Sequence, residues 1–329
     1  MSKVSLLVAV YNTKRFLPCC LDSLLQQTHT DIEVLCVDDV SDDGSWELLC
    51  QYAQKDKRVV AVRQTTNQGQ AVARNRALQM VNGEFVAMVD SDDWLAPDAL
   101  EKALKVYEEH PQTDAVLFDL QLYDEQTGGM TSYSSEFDTA VLSGYDAFRL
   151  SLDWRLHGLY LIRTCIHKAY PFDTTCRLFS DDNTTRMHFL HSREVRGGGG
   201  KYFYRKHPES MTTSVSILRF DYLEANLSMR LQMLREKVPE ESIYLYEGHR
   251  WQNFIGMYYF YFMHKKHFTI EERKEIMRRM KHILKSFSKE EVPKEVRRRI
   301  GYRLVRPFVL FRLQEEIFFR IRGLCGRNM

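Results

Sequence analysis

The sequence predicts an α/β fold: a mostly parallel sheet with helices on its faces, followed by a helical C-terminal region. Three observations predict it. Apolar runs too short and too continuous for surface helices recur early in the chain, as strands buried on both faces do. Segments with apolar residues at helical spacing separate them, and that alternation implies parallel strands joined by crossover helices. From about residue 217 onward the pattern is helical to the end.

Taken in order, Val4–Val10 is the first strand, and residues 14–27, with Phe16, Leu17, Leu21, Leu24 and Leu25, are the first helix. Ile32–Val37, a helix over 45–56, Val59–Val62, a helix over 69–81 and a strand over Glu84–Val89 complete a β-α-β-α-β-α-β series. A helix over 97–110 and a strand over Asp114–Leu122 follow. Residues 124–143, rich in Gly, Ser, Thr and Tyr, read as an exposed excursion or hairpin. A helix over 144–152, a strand over Leu159–His167 and a flexible loop at Gly197–Gly200 leading into Tyr202–Arg205 close this part. The expected division is an α/β domain over residues 1–216 and a helical region over 217–329.

A chain of 329 residues holds one large α/β domain and a smaller appendage. With 44% hydrophobic and 27% charged residues it reads as globular rather than disordered. The net charge of +2 argues neither for nor against nucleic acid, but the basic residues gather late in the chain. The cysteines, at 19, 20, 36, 50, 165, 176 and 325, form no C-x-x-C pair and no zinc-like spacing, which suggests reduced thiols in a cytoplasmic protein. The start of the chain shows no signal-peptide pattern, and no apolar stretch is long enough to cross a membrane.

In open sheets of this kind ligands bind beyond the carboxyl ends of the strands. The residues there are Tyr11-Asn12, Asp38-Asp39, Gln64 to Asn67 and Asp90-Ser91-Asp92-Asp93. Asp90 and Asp92, spaced by one residue after an apolar strand, suit a hard divalent cation such as manganese or magnesium, which takes carboxylates together with substrate phosphates. The competing reading is that Asp92 or Asp93 caps the helix that starts near Pro97. In Val37 to Ser45, Asp39 is the candidate for binding a nucleotide, while Asp43 or Ser45 suits a helix cap. In Asn67 to Asn75, Gly69 permits a tight turn into a helix, and Arg74 is free either to pair with phosphate or the acidic cluster or to lie on a solvated face.

These motifs together resemble the family 2 inverting glycosyltransferases of the GT-A fold. The family's opening V-x-V-Y-N-like run is matched by Val8 to Asn12. Its V-D-D-G-S-x-D-G-S run is matched by Val37 to Ser45, except that Val40 replaces a glycine where a β-branched residue resists positive φ. Its N-x-G-x-x-x-A-R-N run is matched by Asn67 to Asn75, and its D-x-D-D run by Asp90 to Asp93. The likeness is strongest before residue 120 and extends over roughly residues 3–215.

The resemblance implies that Ala9, Tyr11 and Asp39 line the base and ribose site, with Asn67 and Arg74 nearby. It implies that Asp90 lies near ribose and metal and that Asp92 ligates the metal. The family's later carboxylate pair is matched by Asp181-Asp182, with Asp182 as general base; the alternative is again a helix cap. Arg205, or His207 beside it, would reach the diphosphate from a loop made mobile by Gly197–Gly200. The implied activity is inverting hexosyl or N-acetylhexosaminyl transfer from a nucleotide-sugar, with a UDP-sugar preferred, to an acceptor hydroxyl in cell-surface polysaccharide synthesis. A nucleotidyltransferase and a catalytically degenerate scaffold are the competing readings. A Gly-rich phosphate loop after the first strand, which the former needs, is absent.

In the last third, arginines at 297–299, 303, 306, 312, 320 and 322 alternate with large apolar residues. That pattern suits a helix on an anionic membrane surface beside a lipid-linked saccharide acceptor, or equally one that packs on the catalytic domain or a second subunit in a homodimer. No recognisable nucleic-acid-binding module accompanies it. The expected location is cytoplasmic, at the inner face of the cell membrane if that surface is used.

Overall fold

Val4–Val10 forms β1, buried along nearly its whole length, as a central strand of a two-faced sheet must be. In the computed structural model, which describes residues 3–133, 141–179, 181–208 and 214–324, it is followed by α1 (Leu17–Leu25), β2 (Ile32–Asp38), α2 (Ser45–Lys55), β3 (Val59–Arg63), α3 (Gln70–Leu78) and β4 (Phe85–Met88). Pro18 sits in the first turn of α1, where its missing N–H has no intrahelical partner to lose. β1 pairs in parallel with both β2 and β4, Val4 standing beside Ile32 on one side and Phe85 on the other. That register brings the carboxyl ends of β1, β2 and β4 to one edge, so residues far apart in sequence after Val10, Asp38 and Met88 share a cleft.

The chain continues through β5 (Trp94–Leu95), α4 (Ala99–Glu109), β6 (Ala115–Leu117), β7 (Asp119–Asp124), β8 (Met130–Ser132), β9 (Val141–Ser143), α5 (Gly144–Ser151), β10 (Tyr160–Arg163), α6 (Thr164–Ala169), α7 (Asp181–Leu190), β11 (Glu194–Arg196) and β12 (Lys201–Lys206). The main sheet runs β3-β2-β1-β4-β10-β6-β11-β9, and a second sheet runs β5-β12-β7-β8. In the main sheet β10 lies antiparallel to both β4 and β6.

Three expectations are corrected. The segment 114–122 is two strands, not one: Phe118, buried between them, separates β6 in the main sheet from β7 in the second. The segment 159–167 is strand only to Arg163, after which α6 begins. In Gly197–Gly200, the last two glycines are set by packing. A Cβ on Gly200 would come within 2.3 Å of Ala99 Cα, and one on Gly199 within 2.7 Å of the Leu117 carbonyl, so these glycines allow close packing under β6 and α4. The expected excursion does hold a hairpin, β7 against β8, while residues 134–140 lie outside the described residues.

Residues 1–211 and 212–329 form two compact units. The second is helical: α8 (Asp221–Arg235), α9 (Glu240–His264), α10 (Ile270–Leu284), α11 (Lys294–Arg297) and α12 (Phe308–Leu324). α9 is its axis and buries Trp251, Phe254 and Tyr258 against Phe287 and Phe311. Thr269 and Glu272 close a capping box at the start of α10, satisfying amides that the helix leaves open. Inside this unit Glu247, fully buried, is held between Arg230 at 2.9 Å and Arg250 at 3.0 Å. Among the described residues no helix is long and apolar enough to cross a membrane.

Candidate functional site

The loops after β1 and β2 are knitted together by short polar side chains. Asn12 N–H donates to Ser41 Oγ at 3.0 Å, and Asp42 N–H donates back to Asn12 Oδ1 at 3.0 Å. Asp43 accepts the amides of Lys14 and Ser45, serving as the anchor that opens α2 in place of a side-chain cap at Gly44. Ala9 is half-buried at the end of β1, and Tyr11 just beyond it is 48% exposed. Val40, the departure from the glycine pattern, does adopt positive φ, at 67°. That conformation costs a β-branched residue about 1–2 kcal/mol, against the roughly 0.5–1 kcal/mol that a glycine loses in extra chain entropy. Val40→Gly is therefore expected to keep the fold and raise stability by up to about 1 kcal/mol in urea titration. A lower midpoint for the variant would contradict this.

Asp38 and Asp39 divide their work. Asp38 is fully buried and holds Arg63 at 3.1 Å. Asp39 accepts Gln64 Nε2 at 2.7 Å, the Gln68 amide at 2.8 Å and the Gly69 amide at 2.7 Å. It thus fixes the turn into α3 and keeps about one of a carboxylate's four or so acceptor sites open. Asn67 caps the same turn from outside, donating to the Asp39 carbonyl at 3.0 Å and accepting from Arg177.

The acidic turn 90–93 is held from below. Tyr202 on β12 accepts the Asp90 amide at 3.1 Å and donates to Asp93 at 2.8 Å; the Arg205 amide donates to Asp93 at 2.8 Å. β5 begins at the next residue and pairs with β12, which explains the position of these partners. Ligand oxygens of Asp90, Asp92 and Asp93 lie within 4.8 Å of one another. Asp93 is buried and committed to the turn, whereas Asp90 and Asp92 keep 32% and 26% of their side chains exposed. Burial first, then the charges of Asp92 and Asp90, push the Asp93 carboxyl well above its ordinary range. Burial and then Asp90 raise Asp92, against the pull of His207. Crowded carboxylates that repel one another, with oxygen ligands partly open, fit a hard divalent cation. His207 Nε2 lies 2.9 Å from Asp92, and its Nδ1 is buried without a hydrogen-bond partner among the described residues. Helix capping does not account for this turn, since α4 starts at Ala99 after Asp98.

Arg74 is the link between the two ends of the site. It is 1% exposed, hydrogen-bonds Asp90, stands 3.6 Å from Asp181 and lies over the ring of Phe172. Burial pulls its pKa down, but Asp90 and Asp181 more than restore it, so the guanidinium stays charged. The solvated-face alternative for Arg74 is excluded by its burial. Asn75 fixes the partner segment: it donates to the Phe172 carbonyl at 2.8 Å and accepts the Phe172 amide at 2.9 Å.

Asp181 and Asp182 are the first residues of α7, where the helix dipole favours negative charge. Asp181 accepts the Asp182 amide at 3.2 Å, a weak local cap. The Asp182 carboxylate accepts no hydrogen bond among the described residues. Burial, and then Asp181, push its pKa well up, with Arg186 opposing. It is partly exposed by surface area yet densely surrounded, the condition of a group at the floor of a cleft.

Arg205 differs most from expectation. It lies on a paired strand, its guanidinium donates to the Asp92 carbonyl at 2.8 Å, and it packs over Trp94 at 4.7 Å. It supports the acidic turn rather than reaching out from a mobile loop. Sequence reasoning also missed Tyr202; the alternation Tyr202, Tyr204 against Leu120, Leu122 in the neighbouring strand was the available signal.

A sheet whose strand ends converge on paired acids, with a buried arginine joining them to a second carboxylate helix, is a GT-A-like α/β domain. The structure of S. aureus TarS residues 1–349 in complex with UDP-GlcNAc superposes with a TM-score of 0.67 at 22% identity, over 97% of this chain and 92% of that one, a likeness of fold. Residues 5–167 form a domain that matches the family model described as glycosyl transferase family 2. Among relatives, EpsH of Bacillus subtilis, a glycosyltransferase by name, is 42% identical over 125 residues, 38% of this chain and 36% of that protein. The poly(ribitol-phosphate) beta-glucosyltransferase of Bacillus spizizenii is 39% identical over 122 residues, 36% of this chain and 19% of that protein. The matches thus span little more than a third of these relatives at most.

Proposed function

We propose that the chain is an inverting glycosyltransferase that moves a hexosyl or N-acetylhexosaminyl group from a nucleotide-sugar, with a UDP-sugar preferred, to a hydroxyl of a saccharide or lipid-linked saccharide in surface-polysaccharide assembly. The observation that carries it is Arg74, which joins the cation-suited acid Asp90 to the helix whose Asp182 carboxylate accepts no hydrogen bond among the described residues. Residues 1–216 are the catalytic domain in this reading. Ala9, Tyr11 and Asp39 line the base and ribose, Asn67 and Gly69 shape the adjoining turn, and Asp90 and Asp92 hold the cation. A manganese or magnesium ion bound there would neutralise charge developing on the diphosphate.

The chemistry asked of the chain's own groups is one displacement. Asp182 takes the proton of the acceptor hydroxyl as that oxygen bonds to the anomeric carbon. The bond from that carbon to the diphosphate breaks on the opposite side, and its electron pair leaves with the nucleotide. Asp181, paired with Arg74, orients α7 so that Asp182 keeps its place. The UDP-GlcNAc bound by the structural neighbour and the surface-polymer substrate named for the B. spizizenii relative favour this donor and acceptor class. The helical unit is the part proposed to meet the inner face of the membrane.

Incubation with UDP-sugars, manganese and a saccharide acceptor tests the reading. Release of UDP, abolished by chelation, with inverted anomeric configuration in the product is expected. Release of pyrophosphate would identify a nucleotidyltransferase, and no turnover of any donor would favour a scaffold.

A further inference from the structure

α12 buries one face and bares the other. Phe311, Glu315 and Phe319 face the core of the helical unit. Leu310, Leu313, Ile317, Ile321 and Leu324 recur every three or four residues and are each at least half exposed, Leu324 to 89%. Scattered apolar residues on a surface are ordinary, but a continuous stripe along a helix marks something that covers it. The turn before α12 adds Ile300, 84% exposed. Between that turn and the helix lies a cavity of about 620 Å³, floored by Leu304, Ile317 and Ile321 and rimmed by Lys289, Arg298 and Arg303.

The charge on this face is mostly positive. Residues 297–324 hold eight arginines and two acids, Glu315 and Glu316. Neither acid is free on the surface: Glu315 is fully buried, and Glu316, 26% exposed, accepts from Tyr258 and Arg312. Arg298, Arg299 and Arg303 are exposed and make no ion pair among the described residues. Exposed Arg298, Arg299 and Arg303 beside an apolar stripe are complementary to anionic headgroups over acyl chains. A second copy of the chain fits less well, because arginines outnumber the carboxylates here and a two-fold pairing of this face would bring like charges together.

We propose that this face docks on an anionic bilayer surface. α12 lies in the plane of the interface, Leu313, Ile317, Ile321 and Leu324 enter the upper acyl region, and Arg298, Arg299 and Arg303 bind lipid phosphates. The proposal rests on the proposed function for its purpose, which is to keep the enzyme where a lipid-linked acceptor is found.

Flotation of the full chain with phosphatidylcholine vesicles, with and without phosphatidylglycerol, tests it. Binding to the anionic vesicles is expected to exceed binding to the neutral ones by about tenfold or more at low salt, and to weaken as salt rises. Leu313→Glu with Ile317→Glu is expected to abolish binding. Arg298→Gln with Arg299→Gln and Arg303→Gln is expected to remove the preference for anionic lipid. These are surface changes, and unchanged circular dichroism would verify folding. Indifference to both kinds of vesicle overturns the proposal, as does a dimer in sedimentation velocity that Leu313→Glu dissolves, since a second copy would then cover the stripe. UDP binding measured on the same samples separates the two readings: if it fails while flotation holds, the proposed function falls and the docking surface stands.

Discussion

Asp182→Asn is expected to lower kcat/KM about 10²–10⁴-fold while changing metal-dependent nucleotide binding by no more than about twofold. The substitution keeps shape and removes only the proton acceptor. Because burial and then Asp181 raise the Asp182 pKa, the wild-type acid limb should lie above the ordinary carboxylate range of about 4. The residual rate of the variant should lack that limb. The stability effect has a definite sign. A carboxyl whose folded pKa is raised is fully tolerated below its unfolded pKa and penalises the fold as pH climbs through the folded one. Asp182→Asn should therefore match wild type near pH 4 and be as stable or more stable near pH 8. Full transfer activity in the variant would overturn the base assignment.

Arg74→Met should be damaging in a different way. The side chain is similar in length and apolar, so the cavity is nearly filled, but Asp90 and Asp181 lose their shared cation. Both acids keep about a third or a quarter of their surface, so water offsets part of the loss. A cost of about 1–3 kcal/mol is expected from urea unfolding, smaller than for a pair fully enclosed. Transfer should fall about 100-fold or more, since α7 and the acidic turn are no longer held in one geometry. Arg74→Lys should recover stability better than activity, because an ammonium cannot reach two carboxylates with the arginine's fork. Wild-type turnover in Arg74→Met would show that the link is structural only.

The strand ends were legible because short apolar runs and the polar residues closing them are local signals. Asp39, Asp90 and Asp92 could be named from their place after a strand. Whether a helix or a cleft uses an acid was not legible, since Asp93 and Asp43 look alike in sequence. Only Tyr202 and the Arg205 amide, more than a hundred residues on, give Asp93 its role in the turn. Arg74 stood open between solvent and cleft because nothing near it in sequence states that Asp181 faces it. The glycine quartet read as flexible because composition cannot distinguish freedom of the backbone from room for a neighbour, which here is Ala99. The second sheet was hidden for a related reason: residues 114–122 carry no Gly or Pro to mark a break, and the break at Phe118 follows from which sheet each half joins.

The most direct measurement is calorimetric binding of UDP, with GDP as control, to wild type and to Asp92→Ala, with and without manganese. Binding of UDP that requires manganese and is lost in Asp92→Ala is the expected result. Equal UDP binding by wild type and variant, or none in the presence of manganese, would contradict the assignment of Asp90 and Asp92 as the acids through which a cation holds the donor.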